Sequence, residues 1–300
     1  MSKKKFIYII VGFLSAFFLG DYVVGAILSG GLDKYYGLNS NAELAIVGHS
    51  HLMLGIDKQK IEQELNIGVA KYTREGVNLD ERKIMIDQLL EANKNIKTII
   101  IGVDAWSFTD EGLSANSYKL FFPFMEYHSI NDYLKEESDW QEYVTKKMVR
   151  TSRYNELLLG GALRGYLGNW SNLKNGKVDV PNLKEQIKSG VYRKITINNS
   201  KVNTINKILN TLEKNKIKVI LLNVPTIDIM IDAQKEKATE VFGELNKVAK
   251  KYKNTTFLNL QEPWSHKYDL FYDGIHLNPE GQKVITAEIV TYLNRMDLLH

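Results

Sequence analysis

Two segments, KTIIIGV at 97–103 and KVILLNV at 218–224, are apolar with almost no alternation. A strand with one wet face carries a polar residue at every second position, so a strand without that pattern is covered on both faces. Such strands belong to parallel sheets, whose neighbours need a crossover long enough to hold a helix. The chain supplies those crossovers. Asp57 precedes KQKIEQEL as a capped helix, and Ile84, Met85, Leu89 and Leu90 form an apolar stripe within 79–93. Val202, Ile205, Ile208, Leu209 and Leu212 recur at helical spacing. A helix within 232–252 leads to a short strand, TTFLNL, and Pro279 suits the first turn of a last helix lined by Ile285, Ile289, Tyr292 and Leu293. With 44–47 as the first strand, the alternation predicts a three-layer α/β domain around a parallel sheet. Ligands on such sheets bind beyond the carboxyl ends of the strands, which is where Ser50 falls.

The N-terminus follows different rules. After three lysines, residues 6–28 are apolar apart from Asp21 and small residues, long enough to cross a hydrocarbon core of about 30 Å. Residues 1–28 are therefore expected to be an uncleaved signal anchor, with the lysines cytoplasmic and the remainder extracytoplasmic, at the cell surface or in the periplasm. The competing reading is a cleaved signal peptide with 6–19 as its apolar core, although no small-x-small site follows it. Asp21 is the costly residue, since a carboxylate at a helix centre costs about 2.5–3.5 kcal/mol on the insertion scale. A linker is expected over 29–42 and a catalytic domain over 43–300.

Charge excludes one class of partner. The formal net charge is +4; Lys3, Lys4 and Lys5 against Asp21 give residues 1–28 a net +2, which leaves +2 for the rest. No basic stripe with interleaved aromatics suggests nucleic acid. The absence of cysteine excludes a thiol nucleophile, a disulfide framework and a Cys-based zinc site.

Chemistry concentrates at two places. Near the C-terminus, YDGIHLNPEG carries Asp273, His276 and Gly281; near the other end, LAIVGHSHLMLGI carries Gly48 and Ser50. An Asp three residues before a His can hold one imidazole nitrogen and leave the other to face a hydroxyl. Ser50, Asp273 and His276 are thus the candidate nucleophile, orienting acid and base of an acyl-transfer triad.

These blocks resemble the first and last sequence blocks of the SGNH/GDSL hydrolase superfamily, over about residues 42–106 and 216–295. The resemblance implies a flavodoxin-like parallel sheet and no cofactor. It also implies an oxyanion hole built from the Ser50 N–H and a glycine after a strand, for which Gly76 is the candidate with Asn78 nearby. Where the superfamily places Gly then Asn, this chain reads IGVDAW, with Asp104 and no Asn. A carboxylate repels an oxyanion, so Asp104 is expected to cap rather than catalyse. His51, Asp104 and Trp106 are the candidates for residues near the substrate. The chain is most similar to membrane-tethered members that work beside membrane-bound O-acyltransferases. That likeness implies a carbohydrate or acyl-ester substrate, an acyltransferase partner, and either hydrolysis or transfer. An ordinary secreted esterase or lipase, and a weakly catalytic scaffold that binds glycan or partner, remain open.

His49 and His51 flank Ser50 and admit a rival chemistry. On an extended segment they would point the same way and, with His276 and Asp273, would ligate a metal. The preferred expectation is no metal, with His49 open to a structural or a functional role. Between 107 and 199 the alternation fails, and a helical insertion is expected there. Its aromatics form either a satellite core or a contact surface; the cluster Phe121, Phe122, Phe124 and Tyr127 is dense enough to predict that some rings stay exposed or face a pocket.

Overall fold

The computed structural model describes residues 2–109 and 117–295. The chain divides into two compact units. One holds residues up to 38 together with 117–169; the other holds 39–109 and 170–295.

The second unit contains the sheet. Its strands are β1 (Leu44–Gly48), β2 (Val69–Thr73), β3 (Thr98–Gly102), β4 (Lys218–Asn223) and β5 (Thr255–Asn259), in spatial order β2-β1-β3-β4-β5. Every pairing is parallel, with Leu44 opposite both Val69 and Thr98, and Ile100 opposite Ile220. This is the flavodoxin-like order, whose direction of winding reverses between β1 and β3. Leu44, Ala45, Ile46 and Val47 are wholly buried, as strands covered on both faces must be.

The helices in chain order are α1 (Lys3–Tyr36), α2 (Ser50–Gly55), α3 (Lys58–Leu65), α4 (Leu79–Ala92), α5 (His128–Glu137), α6 (Trp140–Met148) and α7 (Glu156–Leu167). They continue as α8 (Val180–Lys188), α9 (Asn199–Lys214), α10 (Asp228–Asp232), α11 (Lys235–Lys251), α12 (Gln261–Trp264) and α13 (Pro279–Arg295). Asp57 caps α3 by accepting from Gln59 and Lys60 N–H, as its position suggested.

β2 is the strand the sequence did not reveal. VAKYT carries a lysine at its centre, yet Lys71 is buried because its ammonium donates to the Met53 and Ile56 carbonyls at 2.8 and 2.5 Å. A buried charge with two carbonyl acceptors is tolerated where an unpaired one is not.

The first unit is helical among the described residues. α1 runs past Leu28 to Tyr36, so residues 29–36 are helix and not linker. Leu32 and Tyr36 are buried, and Gly37 in the left-handed region (φ 74°) ends the helix by returning its N–H to the Asp33 carbonyl. From Lys3 to Tyr36 this is a helix long and apolar enough to cross a membrane. Asp21 is not left bare: its carboxylate accepts Arg150 N–H at 2.7 Å, Thr151 N–H at 2.9 Å and the Thr151 hydroxyl at 2.5 Å. The insertion is helical as expected, but it is not one body. Residues 117–169 join α1, whereas α8 belongs with the sheet, where Leu183 packs against Gly274.

The aromatic cluster corrects the expectation of exposure. Phe121, Phe122 and Phe124 are fully buried in the 3₁₀ helix Ser117–Phe124, and Tyr127 is half-buried. Its tighter winding turns the rings onto α5 and α6, with Phe121 against Tyr133 at 5.5 Å and the Lys146 ammonium 5.6 Å from the Phe122 ring centre.

Candidate active site

β1 ends at Gly48, and the chain turns at once into α2, so Ser50 stands just beyond the carboxyl end of β1, at the winding reversal. Opposite it, residues 271–277 form a tight loop. Phe271 and Leu277 pair as an antiparallel bridge, and Tyr272 N–H donates to the His276 carbonyl at 2.8 Å. Asn278 pins this loop from below: its amide donates to the Asp269 carbonyl at 2.7 Å, while its carbonyl oxygen accepts the Glu280 and Gly281 N–H groups that open α13.

The loop aims two side chains. Asp273 Oδ2 lies 2.8 Å from His276 Nδ1, and Oδ1 accepts Ile275 and His276 N–H at 2.9 and 2.8 Å. His276 Nε2 lies 2.8 Å from Ser50 Oγ. The carboxylate fixes the proton on Nδ1, which leaves Nε2 to accept from the serine hydroxyl. Burial pushes the Asp273 carboxyl up, but the hydrogen bond and charge of His276 and the two backbone N–H groups outweigh it, and its pKa sits below the usual value.

A second histidine–carboxylate pair begins at the residue before Ser50. His49 Nε2 donates to Asp104 Oδ2, and His49 Nδ1 accepts His51 N–H at 3.2 Å, which caps α2. Asp104 Oδ1 accepts Trp106 N–H at 2.8 Å, and Asp104 N–H donates to Ser107 Oγ at 2.7 Å. Asp104 therefore caps its own turn. Burial raises its pKa, yet its interactions with the His49 ring above all, the hydrogen bond among them, and with the His51 ring and the Arg82 cation together hold it well below the usual range. Arg82 is buried over the same spot and donates to the Gly102 carbonyl at 2.7 Å. Burial lowers its pKa to about 10, so it stays cationic at neutral pH.

His51 lies between the two pairs, its ring centre 4.3 Å from that of His49, 5.4 Å from His276 and 6.4 Å from Trp106. Its Nδ1 is buried without a hydrogen bond, 3.5 Å from Asp104 Oδ2. Burial, then the neighbouring His49, pushes its pKa well below 6.5 and keeps the ring neutral. His49 is likewise lowered, first by burial and then by Arg82.

The donor atoms of His49, His51 and Asp104 lie within 4.8 Å of one another, a different set from the His49, His51, His276 and Asp273 that the sequence offered for a metal. Their hydrogen bonding suits a cation poorly. The His49 Nδ1 lone pair is spent on a backbone N–H, its Nε2 proton points at Asp104, and Arg82 adds positive charge.

The remaining candidates divide by role. Trp106 is buried beside His51 and donates from Nε1 to the Arg193 carbonyl at 3.1 Å. Gly76 occupies the turn after β2 with φ 77°. Asn78 is the N-cap of α4 in a reciprocal capping box with Glu81, so its carbonyl oxygen is engaged by Asp80 and Glu81 N–H. With His49, Asp104, Arg82, Trp106 and Arg193, it lines a cavity of about 10 Å³, the size of one water. Arg82, Ser107 and Arg193 escaped the sequence reading: a lone Arg in ERK looks like a solvated helix face, and nothing local marks its partner.

No family model matches the sequence, and no curated protein matches it. Several solved structures are similar to it. A proposed platelet activating factor from Streptococcus pneumonia aligns at 12% identity and a TM-score of 0.47, over 95% of this chain and 99% of that one. A proposed acylhydrolase from Bacteroides fragilis aligns at 11% identity and 0.43, over 86% and 88%. A GDSL-like lipase from Bacteroides thetaiotaomicron aligns at 12% identity and 0.40, over 85% and 89%.

Proposed function

We propose that the chain is a serine-dependent acyl-ester hydrolase or O-acyltransferase, anchored in a membrane by α1 and acting on an exported or envelope carbohydrate. One observation carries the chemistry: the continuous line from Ser50 Oγ to His276 Nε2 and from His276 Nδ1 to Asp273, each step 2.8 Å. In this reading Ser50 Oγ attacks the ester carbonyl carbon while its proton passes to His276 Nε2. The imidazolium, stabilised by Asp273, then returns that proton to the leaving oxygen as the carbon–oxygen bond breaks. Water or an acceptor hydroxyl attacks the resulting acyl-serine, again giving its proton to His276. The Ser50 N–H, Gly76 and the Asn78 amide nitrogen are the proposed donors to the oxyanion, and His51 and Trp106 the proposed neighbours of the substrate.

The committed carboxylate of Asp104 fits this division of labour. Its charge is met by the His49 N–H and by the Arg82 cation, which limits the repulsion it would exert on an oxyanion. The carbohydrate substrate and a membrane-bound O-acyltransferase partner rest on the sequence resemblance and on the apolar α1, and copurification with such a protein from native membranes tests the partner. The enzyme itself is tested with a fluorophosphonate probe on the full-length protein in detergent. Wild type should be labelled on Ser50 and Ser50→Ala should not. A wild-type chain that neither takes the probe nor hydrolyses p-nitrophenyl acetate ends the reading.

A further inference from the structure

α7 packs on α1 through small residues. A Cβ on Gly165 would lie 1.9 Å from the Gly31 carbonyl oxygen, and one on Gly31 would lie 2.4 Å from the Ala162 carbonyl oxygen. Gly161 and Gly165 form a G-x-x-x-G pair, a spacing that brings helix backbones together where lipid supplies no hydrophobic drive. With Leu158, Gly161, Ala162 and Gly165 buried, the opposite side of α7 presents Leu159, Leu163, Tyr166 and Leu167. Leu163 and Leu167 are 60% and 70% exposed.

That face continues an apolar surface already present on α1. Tyr166 donates its hydroxyl to the Ile27 carbonyl at 2.7 Å, and Ile27 is itself 54% exposed. At 1.5 Å per residue the apolar stretch from Phe6 to Ile27 spans about 33 Å, close to one hydrocarbon core. α7 thus joins α1 at the level where the core would end. The chemistry there matches a lipid interface. Tyr154 and Tyr166 anchor their hydroxyls on α1 carbonyls, the Lys34 ammonium sits 4.7 Å over the Tyr166 ring, and Arg164 sits 4.9 Å over Tyr35. Glu156, on the same side as the leucines, stands at the start of the helix.

We propose that α7 is a second membrane-contacting element, with Leu159, Leu163 and Leu167 buried in the acyl boundary of the leaflet remote from Lys3–Lys5, beside α1. The occupant of this face is lipid. The proposal rests on α1 crossing a bilayer, and the test separates the two.

The chain has no cysteine, so single labels are unambiguous. Full-length Leu163→Cys, Leu167→Cys, Phe13→Cys and Lys235→Cys are each labelled with a small fluorophore and reconstituted into phosphatidylcholine–phosphatidylglycerol vesicles. Labels at 163 and 167 should be quenched by lipids doxylated near the headgroup and be several-fold less sensitive to aqueous iodide than the label at 235. The label at 13 should respond to deep doxyl groups. If 13 is deep but 163 and 167 are as open to iodide as 235, lipid does not cover α7 and the proposal is overturned. If 13 is not quenched by lipid, α1 does not span, and both readings fall.

Discussion

His276 and His49 hold their protons in opposite ways, and this asymmetry gives the two imidazoles different uses around Ser50. His276 offers a lone pair to the hydroxyl, whereas His49 has spent its lone pair on the helix cap and its proton on Asp104. Ser50→Ala should therefore abolish ester turnover by about 10³-fold or more, and His276→Ala by a similar factor. The double variant should lose little beyond either single one, since members of one proton-transfer chain act as a unit; steady-state hydrolysis of p-nitrophenyl acetate reads this, and multiplicative losses would separate the two residues. The neutral pair also predicts a pH dependence of stability. His49 and His51 have folded pKa values below the unfolded 6.5, so below that pH the unfolded chain binds more protons than the native one. Their contribution is complete above pH 6.5 and is lost as pH falls toward their folded values, by up to about 1.4 kcal/mol per pH unit for each group. Exposed His266, raised by its hydrogen bond to Asp228, works weakly the other way. Melting temperature should drop between pH 7 and 5, and His51→Gln should flatten that slope. A melting curve unchanged across this range in the wild type would show that the buried rings are already charged or already wet.

At the level of elements, the loop of 271–278 and the start of α13 act as one piece because two close approaches fix them. A Cβ on Gly281 would lie 2.2 Å from the Leu270 carbonyl oxygen, and Asn278 gathers carbonyls from the same loop. Gly281→Ala should cost about 1–3 kcal/mol by overpacking and reduce turnover as well, because the displaced loop carries Asp273 and His276. Denaturant melts and the esterase assay together check this, and full stability with full activity would count against it. This block was legible in the sequence because its contacts are local: Asp, His, Asn and Gly lie within nine residues. The buried strands of the sheet were legible for the same reason, through their unbroken apolar runs. β2 was hidden because Lys71 interrupts its pattern, and only distant carbonyls on 53 and 56 make that lysine tolerable. The Asp104 site shows the same limit. Its capping turn can be read from neighbours, but Arg82 reaches it from α4, about 20 residues earlier in the chain.

For the whole molecule, the sequence indicated an apolar N-terminal segment but not how it is completed. Phe121, Phe122 and Phe124 admitted either reading and are a core, while the leucines of α7, which nothing in the sequence marked, are exposed. Local composition cannot tell these apart, because burial depends on which helices pack together. If α1 is an anchor, the full-length chain should remain in the membrane pellet after alkaline carbonate extraction, and recovery in the supernatant would argue against it.

Asp21 gives this architecture a direction in time. Its partners, Arg150 and Thr151, follow it by 129 and 130 residues. At about 5–20 residues per second of synthesis, roughly 6–26 seconds separate the carboxylate from the groups that neutralise its cost. If α1 is an anchor, a ribosome-bound intermediate would hold it with an unanswered charge, poised to slip toward water. The insertion depth of such a helix would be settled only when residue 151 emerges, so that the second half of the polypeptide would complete the placement of the first.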